Sequence, residues 1–121
     1  MDGDGVADGR AAQVTSLRLC RVDEVGDDTP LRVEAEGAVY AVAKALGEIF
    51  VLADQCTHGP GKLSEGAVLG GELECPFHQG RFDLRSGRST YPPCTEAVRT
   101  WTATVKAGEI FIDPDEPAKA G

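Results

Sequence analysis

The chain has 121 residues, with 12 lysines and arginines against 20 aspartates and glutamates, and a formal net charge of −8. One domain fits that length, enough to bury roughly two thirds of the surface its unfolded chain exposes. So acidic a balance repels nucleic acid and anionic membrane surfaces, and neither is expected as a partner. No stretch reaches the length of a bilayer-crossing helix, and Met1-Asp2-Gly3-Asp4-Gly5 lacks the basic start and apolar run of an export signal. The expected compartment is the cytoplasm, where four cysteines read as metal ligands and buried thiols rather than as disulfides.

In chain order, residues 1 to 12 are rich in Gly, Asp and Ala without a period and read as a tail. Leu31, Val33 and Ala35 then alternate with Arg32 and Glu34, the period-two pattern of a half-buried strand. A strand is expected to continue from Val39 and Tyr40, with one turn of helix over Ala41 to Leu46 as the alternative. Ile49-Phe50-Val51-Leu52 has no alternation and suits a strand covered on both faces.

Around Gly70-Gly71 a hairpin is expected in which Leu69, Leu73 and Cys75 share one face while Glu72 and Glu74 face the other way. Pro76 ends that ladder by removing an N–H. Phe82 and Leu84 alternate with Arg81, Asp83 and Arg85, and Trp101, Ala103 and Val105 alternate with Thr100, Thr102 and Thr104. Turn signals fall at Glu36-Gly37, Leu46-Gly47, Gly70-Gly71, Ser86-Gly87 and Ala107-Gly108. Residues 113 to 121, with Pro114 and Pro117, read as a second tail. The sum is a small all-β domain over 13 to 112.

Chemistry concentrates in two short clusters. Cys56-Thr57-His58 and Cys75-Pro76-Phe77-His78 read as C-x-H and C-x-x-H, separated by residues 59 to 74. Each gives one thiolate and one imidazole from a glycine-bearing loop. When two Cys hold one iron and two His the other, the result is the Rieske form of the [2Fe–2S] centre. Two thiolates and two bridging sulfides balance two ferric ions, so the oxidised centre is formally neutral and easier to reduce than a four-thiolate one. His58 and His78 are the only histidines in the chain. No imidazole remains for a mononuclear iron triad or a general base of the usual kind. The inventory therefore favours an electron carrier over a catalyst.

Structural zinc is the competing use of these four ligands, although zinc modules usually pair Cys with Cys and His with His at short spacing. Cys20 and Cys94 read as small buried hydrophobes, with an alternate ligand role for Cys94 as the second option. Lys62 and Arg81 flank the loops as either partner contacts or solvated charges. Trp101 reads as core rather than electron relay. Asp83 reads as a surface residue, with a salt bridge to a neighbouring loop as the alternative. Tyr91-Pro92-Pro93-Cys94 is a stiff segment able to fold over the site.

From about residue 13 to residue 112 the chain resembles the Rieske-type ferredoxin component of bacterial multicomponent aromatic-ring dioxygenases. The matching residues are Cys56-Thr57-His58-Gly59, Cys75-Pro76-Phe77-His78-Gln79-Gly80-Arg81-Phe82-Asp83, the Ser86-Gly87-Arg88 turn and Pro92-Pro93. The resemblance implies an antiparallel Rieske-type β sandwich with a cluster-binding subdomain at its tip. It implies one [2Fe–2S] cluster, with Cys56 and Cys75 on the inner iron and His58 and His78 on the outer one. Electrons would arrive from an NADH-fed flavoprotein ferredoxin reductase and leave to the Rieske centre of a terminal ring-hydroxylating oxygenase. A monomer is expected, and the carrier is not itself an enzyme.

Respiratory-chain members of the superfamily have an extra Cys in each loop, where this chain has Gly61 or its neighbours and Phe77. They also have Ser and Tyr hydroxyls on the cluster sulfurs, where this chain has Gly80 and Phe82. Fewer hydrogen bonds to sulfur imply a potential near the low end of the Rieske range, about −150 mV. A redox-sensing module, a small subunit of another reductase such as one acting on nitrite, and a stable domain of a larger complex are the alternative functions.

Overall fold

In the computed structural model of the protein, short alternating segments separated by X-Gly turns fold into antiparallel sheets. The structure describes residues 16–57, 61–76, 79–91 and 96–116. The tail expected at residues 1 to 12 lies outside them, as do His58, His78, Pro92, Pro93 and Cys94.

The strands are β1 (Leu17–Arg21), β2 (Leu31–Ala35), β3 (Ala38–Ala45), β4 (Glu48–Ala53), β5 (Ala67–Leu69), β6 (Glu72–Glu74), β7 (Arg81–Asp83), β8 (Ser89–Tyr91), β9 (Thr100–Trp101), β10 (Thr104–Lys106) and β11 (Glu109–Ile112). They form a four-stranded sheet ordered β9-β4-β3-β2, a three-stranded sheet β10-β11-β1, and a second four-stranded sheet β5-β6-β7-β8. Single 3-10 turns lie at Val22–Glu24 and Leu63–Glu65. This is the all-β antiparallel architecture expected from the sequence, and Ala41–Ala45 is strand rather than helix.

Three hairpins close on two-residue turns with both residues at positive φ. Leu46-Gly47, at 56° and 75°, joins β3 to β4, and Glu36-Gly37 and Ala107-Gly108 repeat the arrangement. Positive φ at both positions gives the turn a twist that matches the flanking strands, and glycine in the second place removes the steric cost there.

The β3–β4 hairpin is covered on both sides, as the unbroken Ile49–Leu52 run predicts. Ala41, Ala43, Phe50 and Leu52 face one core, shared with Leu63, Leu73, Phe82, Val98, Cys56 and Cys75. Tyr40, Val42 and Val51 face a second core with Leu19, Cys20, Ile110 and Ile112. The register Ala41↔Leu52 and Val42↔Val51 keeps the two faces in phase.

Two side-chain assignments differ from expectation. Leu69 pairs with Glu72 across the Gly70-Gly71 turn, so it lies on the glutamate side and is 41 % exposed; Val68, opposite Leu73, takes the buried place. A two-residue turn puts its flanking residues directly opposite one another, which shifts the shared face by one residue. The run Thr100–Val105 is also not one strand. The chain crosses from the first sheet to the second at Thr102 and Ala103, and the alternation changes phase there. Thr100 is buried at 3 % exposure while Val105 is half exposed at 50 %.

Phe82 is fully buried at the centre of the first core. Phe82→Ala is expected to lower the unfolding free energy by about 3–5 kcal/mol, read from urea denaturation followed by far-UV circular dichroism.

Candidate metal centre

Both candidate sulfur donors sit where a strand gives way to a loop. Cys56 follows β4 and Cys75 follows β6 directly; they are 2 % and 0 % exposed, and both pack in the first core. The structure thus gathers the thiol half of the expected ligand set inside one apolar cluster. His58 and His78 lie outside the described residues. Among the described residues no three His, Cys, Asp or Glu side chains gather as a metal site.

Each loop closes at its base by the same bond. The Cys56 N–H donates to the Gly61 carbonyl at 3.0 Å, and the Cys75 N–H donates to the Gly80 carbonyl at 2.7 Å. Gln79, at φ 61°, makes the left-handed return that brings Gly80 into place. The first loop is tied further: Leu63 N–H donates to the Asp54 carbonyl at 2.7 Å, and Gln55 bridges Lys62. Thr57 Oγ1, between Cys56 and His58, donates to the Glu96 carbonyl at 2.8 Å. That bond links the first loop to the far end of the Pro92-Pro93 segment.

Two glycines set the spacing of these parts. A Cβ on Gly66 would lie 1.8 Å from the Glu74 carbonyl oxygen, so the exit of the first loop touches the backbone just ahead of Cys75. A Cβ on Gly87 would lie 2.1 Å from the Val98 carbonyl oxygen, and Val98 N–H donates back to the Gly87 carbonyl at 2.8 Å. Sequence reading marked Gly87 as a turn residue and did not single out Gly66, Asp54 or the Thr57 tether. Their only signal is position, a small or polar residue at the neck of a ligand loop.

The flanking residues resolve differently from one another. Asp83 Oδ2 accepts the Ser86 N–H at 2.8 Å and the Ser86 hydroxyl at 2.9 Å, so this part-exposed acid builds the Ser86-Gly87-Arg88 turn. Arg81 lies 3.7 Å from Glu72, 3.5 Å from Glu74 and 5.0 Å over the Tyr91 ring, which locks it across three strands. Lys62 Nζ donates to Gln55 Oε1 at 3.4 Å.

Trp101 belongs to the other core, edge-on to Tyr40 at 5.0 Å, with Nε1–H donating to the Pro114 carbonyl at 3.2 Å. Its role is packing. Cys20 is buried in that same core, and desolvation followed by Glu24 pushes its thiol up, with Arg18 opposing.

The family model of the Rieske [2Fe-2S] domain matches residues 15–102. The chain belongs to the Rieske [2Fe-2S] family. It is 42 % identical over 97 residues to the ferredoxin component of the p-cumate 2,3-dioxygenase system of Pseudomonas putida, spanning 78 % of this chain and 82 % of that one. The Sphingomonas yanoikuyae B1 ferredoxin matches with TM-score 0.79 and 39 % identity, covering 82 % of this chain and 98 % of that chain. A chain in the complex of reduced oxygenase and oxidized ferredoxin in carbazole 1,9a-dioxygenase matches with TM-score 0.76 and 33 % identity, over 84 % and 94 % of the two chains.

This Rieske ferredoxin therefore carries one [2Fe–2S] cluster of the Rieske type and serves electron transfer rather than catalysis. Two buried sulfurs at the necks of two closed loops fit the thiolate half of such a centre. Among the described residues no helix is long and apolar enough to cross a membrane.

Gly66→Ala drives a methyl into the Glu74 carbonyl. The variant is expected to lose about 1–3 kcal/mol of stability and to bind less iron per chain, by urea denaturation and colorimetric iron assay. Full iron content in a folded variant would show that this contact does not set the loop spacing.

Proposed function

We propose that Cys56 and Cys75 ligate one iron and His58 and His78 the other, and that the protein passes single electrons from a reductase to a ring-hydroxylating oxygenase. The observation that carries the assignment is the burial of Cys56 and Cys75 in one core at the mouths of two loops closed in the same way. His58 and His78 fall, by sequence, within the two four-residue spans, 57–60 and 76–79, that those bonds enclose. Ferredoxin components of dioxygenase systems among the relatives support the direction of transfer.

When bound, the cluster accepts and releases one electron at a potential that histidine ligation raises above that of all-cysteine centres. The chain's own residues supply the rest. Cys56 and Cys75 present sulfur from a water-free face, and Leu63, Leu73 and Phe82 keep that face dry. Phe82 offers a ring and no hydroxyl, which supports a potential near the low end of the Rieske range, about −150 mV.

The electron donor in this reading is an NADH-fed flavoprotein ferredoxin reductase, and the carrier works as a cytoplasmic monomer with its domain spanning residues 13 to 112. A net charge of −8 favours basic docking patches on both partners. The carrier never meets the aromatic substrate, so substrate choice belongs to the oxygenase.

Reconstitution tests the function: leaving this protein out of a mixture with reductase, NADH and oxygenase is expected to abolish product formation. Undiminished turnover without it would assign the protein to a sensing module or another reductase complex. His78→Cys adds thiolate charge and is expected to lower the midpoint potential in a spectroelectrochemical titration. A colourless protein with zinc in place of iron would overturn the ligand assignment itself.

A further inference from the structure

Asp54 is an acid inside the fold that the ligand set does not call for. It stands two residues before Cys56 and is 1 % exposed. Its main chain and one carboxylate oxygen are committed to the neck of the first loop. The N–H donates to the Val39 carbonyl at 3.2 Å, the carbonyl accepts the Leu63 N–H, and carboxylate Oδ1 accepts the Ser64 N–H at 2.7 Å. Oδ1 and the main chain thus stitch the entrance of the loop, at 54, to its exit, at 63 and 64.

The other oxygen is different. Oδ2 makes no hydrogen bond among the described residues and faces the Arg32 guanidinium, with Nε 3.7 Å away. Arg32 is half exposed and shared, since its Nη2 is held by Glu34 Oε2 at 2.6 Å. The neutralisation of Asp54 is therefore incomplete. A buried charge is screened far less than a surface one, and a negative charge near a redox centre disfavours the arrival of another electron.

We propose that Asp54 is a positioning residue with two separable roles toward the Rieske centre. Oδ1 clasps the neck of the first ligand loop, and the charge left on Oδ2 holds the reduction potential down. Arg32 sets how much of that charge is felt. The inference rests on the assignment of Cys56 as an iron ligand. It concerns the residues behind the ligands, which that assignment leaves open.

Substitution separates the roles. Asp54→Asn keeps an oxygen for the Ser64 N–H and removes the charge. It is expected to retain wild-type iron content and the rhombic reduced-state electron paramagnetic resonance signal, while its midpoint potential shifts positive. Glu34→Gln removes the same charge from an exposed position on the same ion-pair string, and its positive shift is expected to be smaller because solvent screens it. Arg32→Gln uncovers the carboxylate and is expected to shift the potential negative. Asp54→Ala loses the clasp as well, and is expected to release iron to a chelator several-fold faster than Asp54→Asn.

An Asp54→Asn potential no more positive than that of Glu34→Gln, or an Arg32→Gln potential that does not fall, overturns the electrostatic role. Equal iron-release rates for the Ala and Asn variants overturn the clasp. Should Asp54→Asn fail to fold, Arg32→Gln, at a half-exposed site, still decides the charge effect. A wild-type protein without the reduced-state signal would instead refute the ligand assignment, so the two failures are distinguishable.

Discussion

A β-strand that turns into a ligand loop leaves its ladder, and the N–H groups beyond that point need new partners if they stay buried. At both loops the cysteine meets this need with its own amide, donating to the carbonyl of a glycine five residues on, Gly61 for Cys56 and Gly80 for Cys75. The bond fixes where each sulfur sits and encloses the segment that carries the histidine in the sequence. It also sets the path of the chain on leaving each loop. Lys62 bridges back to Gln55 directly after Gly61, and β7 begins at Arg81 directly after Gly80. Loop closure and strand pairing are therefore continuous, and the loop mouths inherit the rigidity of the sheet.

That rigidity has its source in the β3–β4 hairpin, whose two faces are both dry. Alanines at 41, 43 and 45 keep the inner face shallow, which lets Leu73 and Phe82 of the third sheet pack close against it. The third sheet is then fastened by main-chain contact. Gly66 lies against the Glu74 carbonyl and Gly87 against that of Val98, at separations no side chain would allow. The first contact joins the two candidate ligand loops. The second aligns the segment beyond Pro92-Pro93 with the turn after β7, and the Thr57 tether to Glu96 joins that segment to the first loop. Three pieces of chain distant in sequence are thereby held in one arrangement.

Much of this was legible in the residues, for reasons that also explain what was not. Period two placed β2 and β7, the unbroken apolar run placed β4 between two cores, and X-Gly pairs marked the hairpin turns. These are local signals with local causes. Leu69 was misplaced because the face it occupies depends on turn register, which one residue inverts. The Thr100–Val105 run kept its alternation on paper while the chain changed sheets, a tertiary event that no window of sequence reports. Asp83 and Asp54 show the same limit at the site. Each looked like an ordinary acid, and each acquires its role from main-chain N–H groups, at Ser86 and Ser64, that the fold brings to it. The spacing of Cys56, His58, Cys75 and His78 marked them as candidates because metal-donor chemistry constrains spacing directly.

The two cores divide the chemistry of the protein between them. The one behind the hairpin holds Tyr40, Trp101 and Cys20, groups that carry a hydroxyl, an indole N–H and a thiol, and burial pushes both the Tyr40 hydroxyl and the Cys20 thiol up. The apolar side chains packed with Cys56 and Cys75 are Ala, Val, Leu and Phe. Asp54, buried at the edge of that core, carries a charge that little water screens. If Asp54 tunes the centre as proposed, the charge at the loop neck and the Arg32 cation that faces it act together, at 3.7 Å from each other.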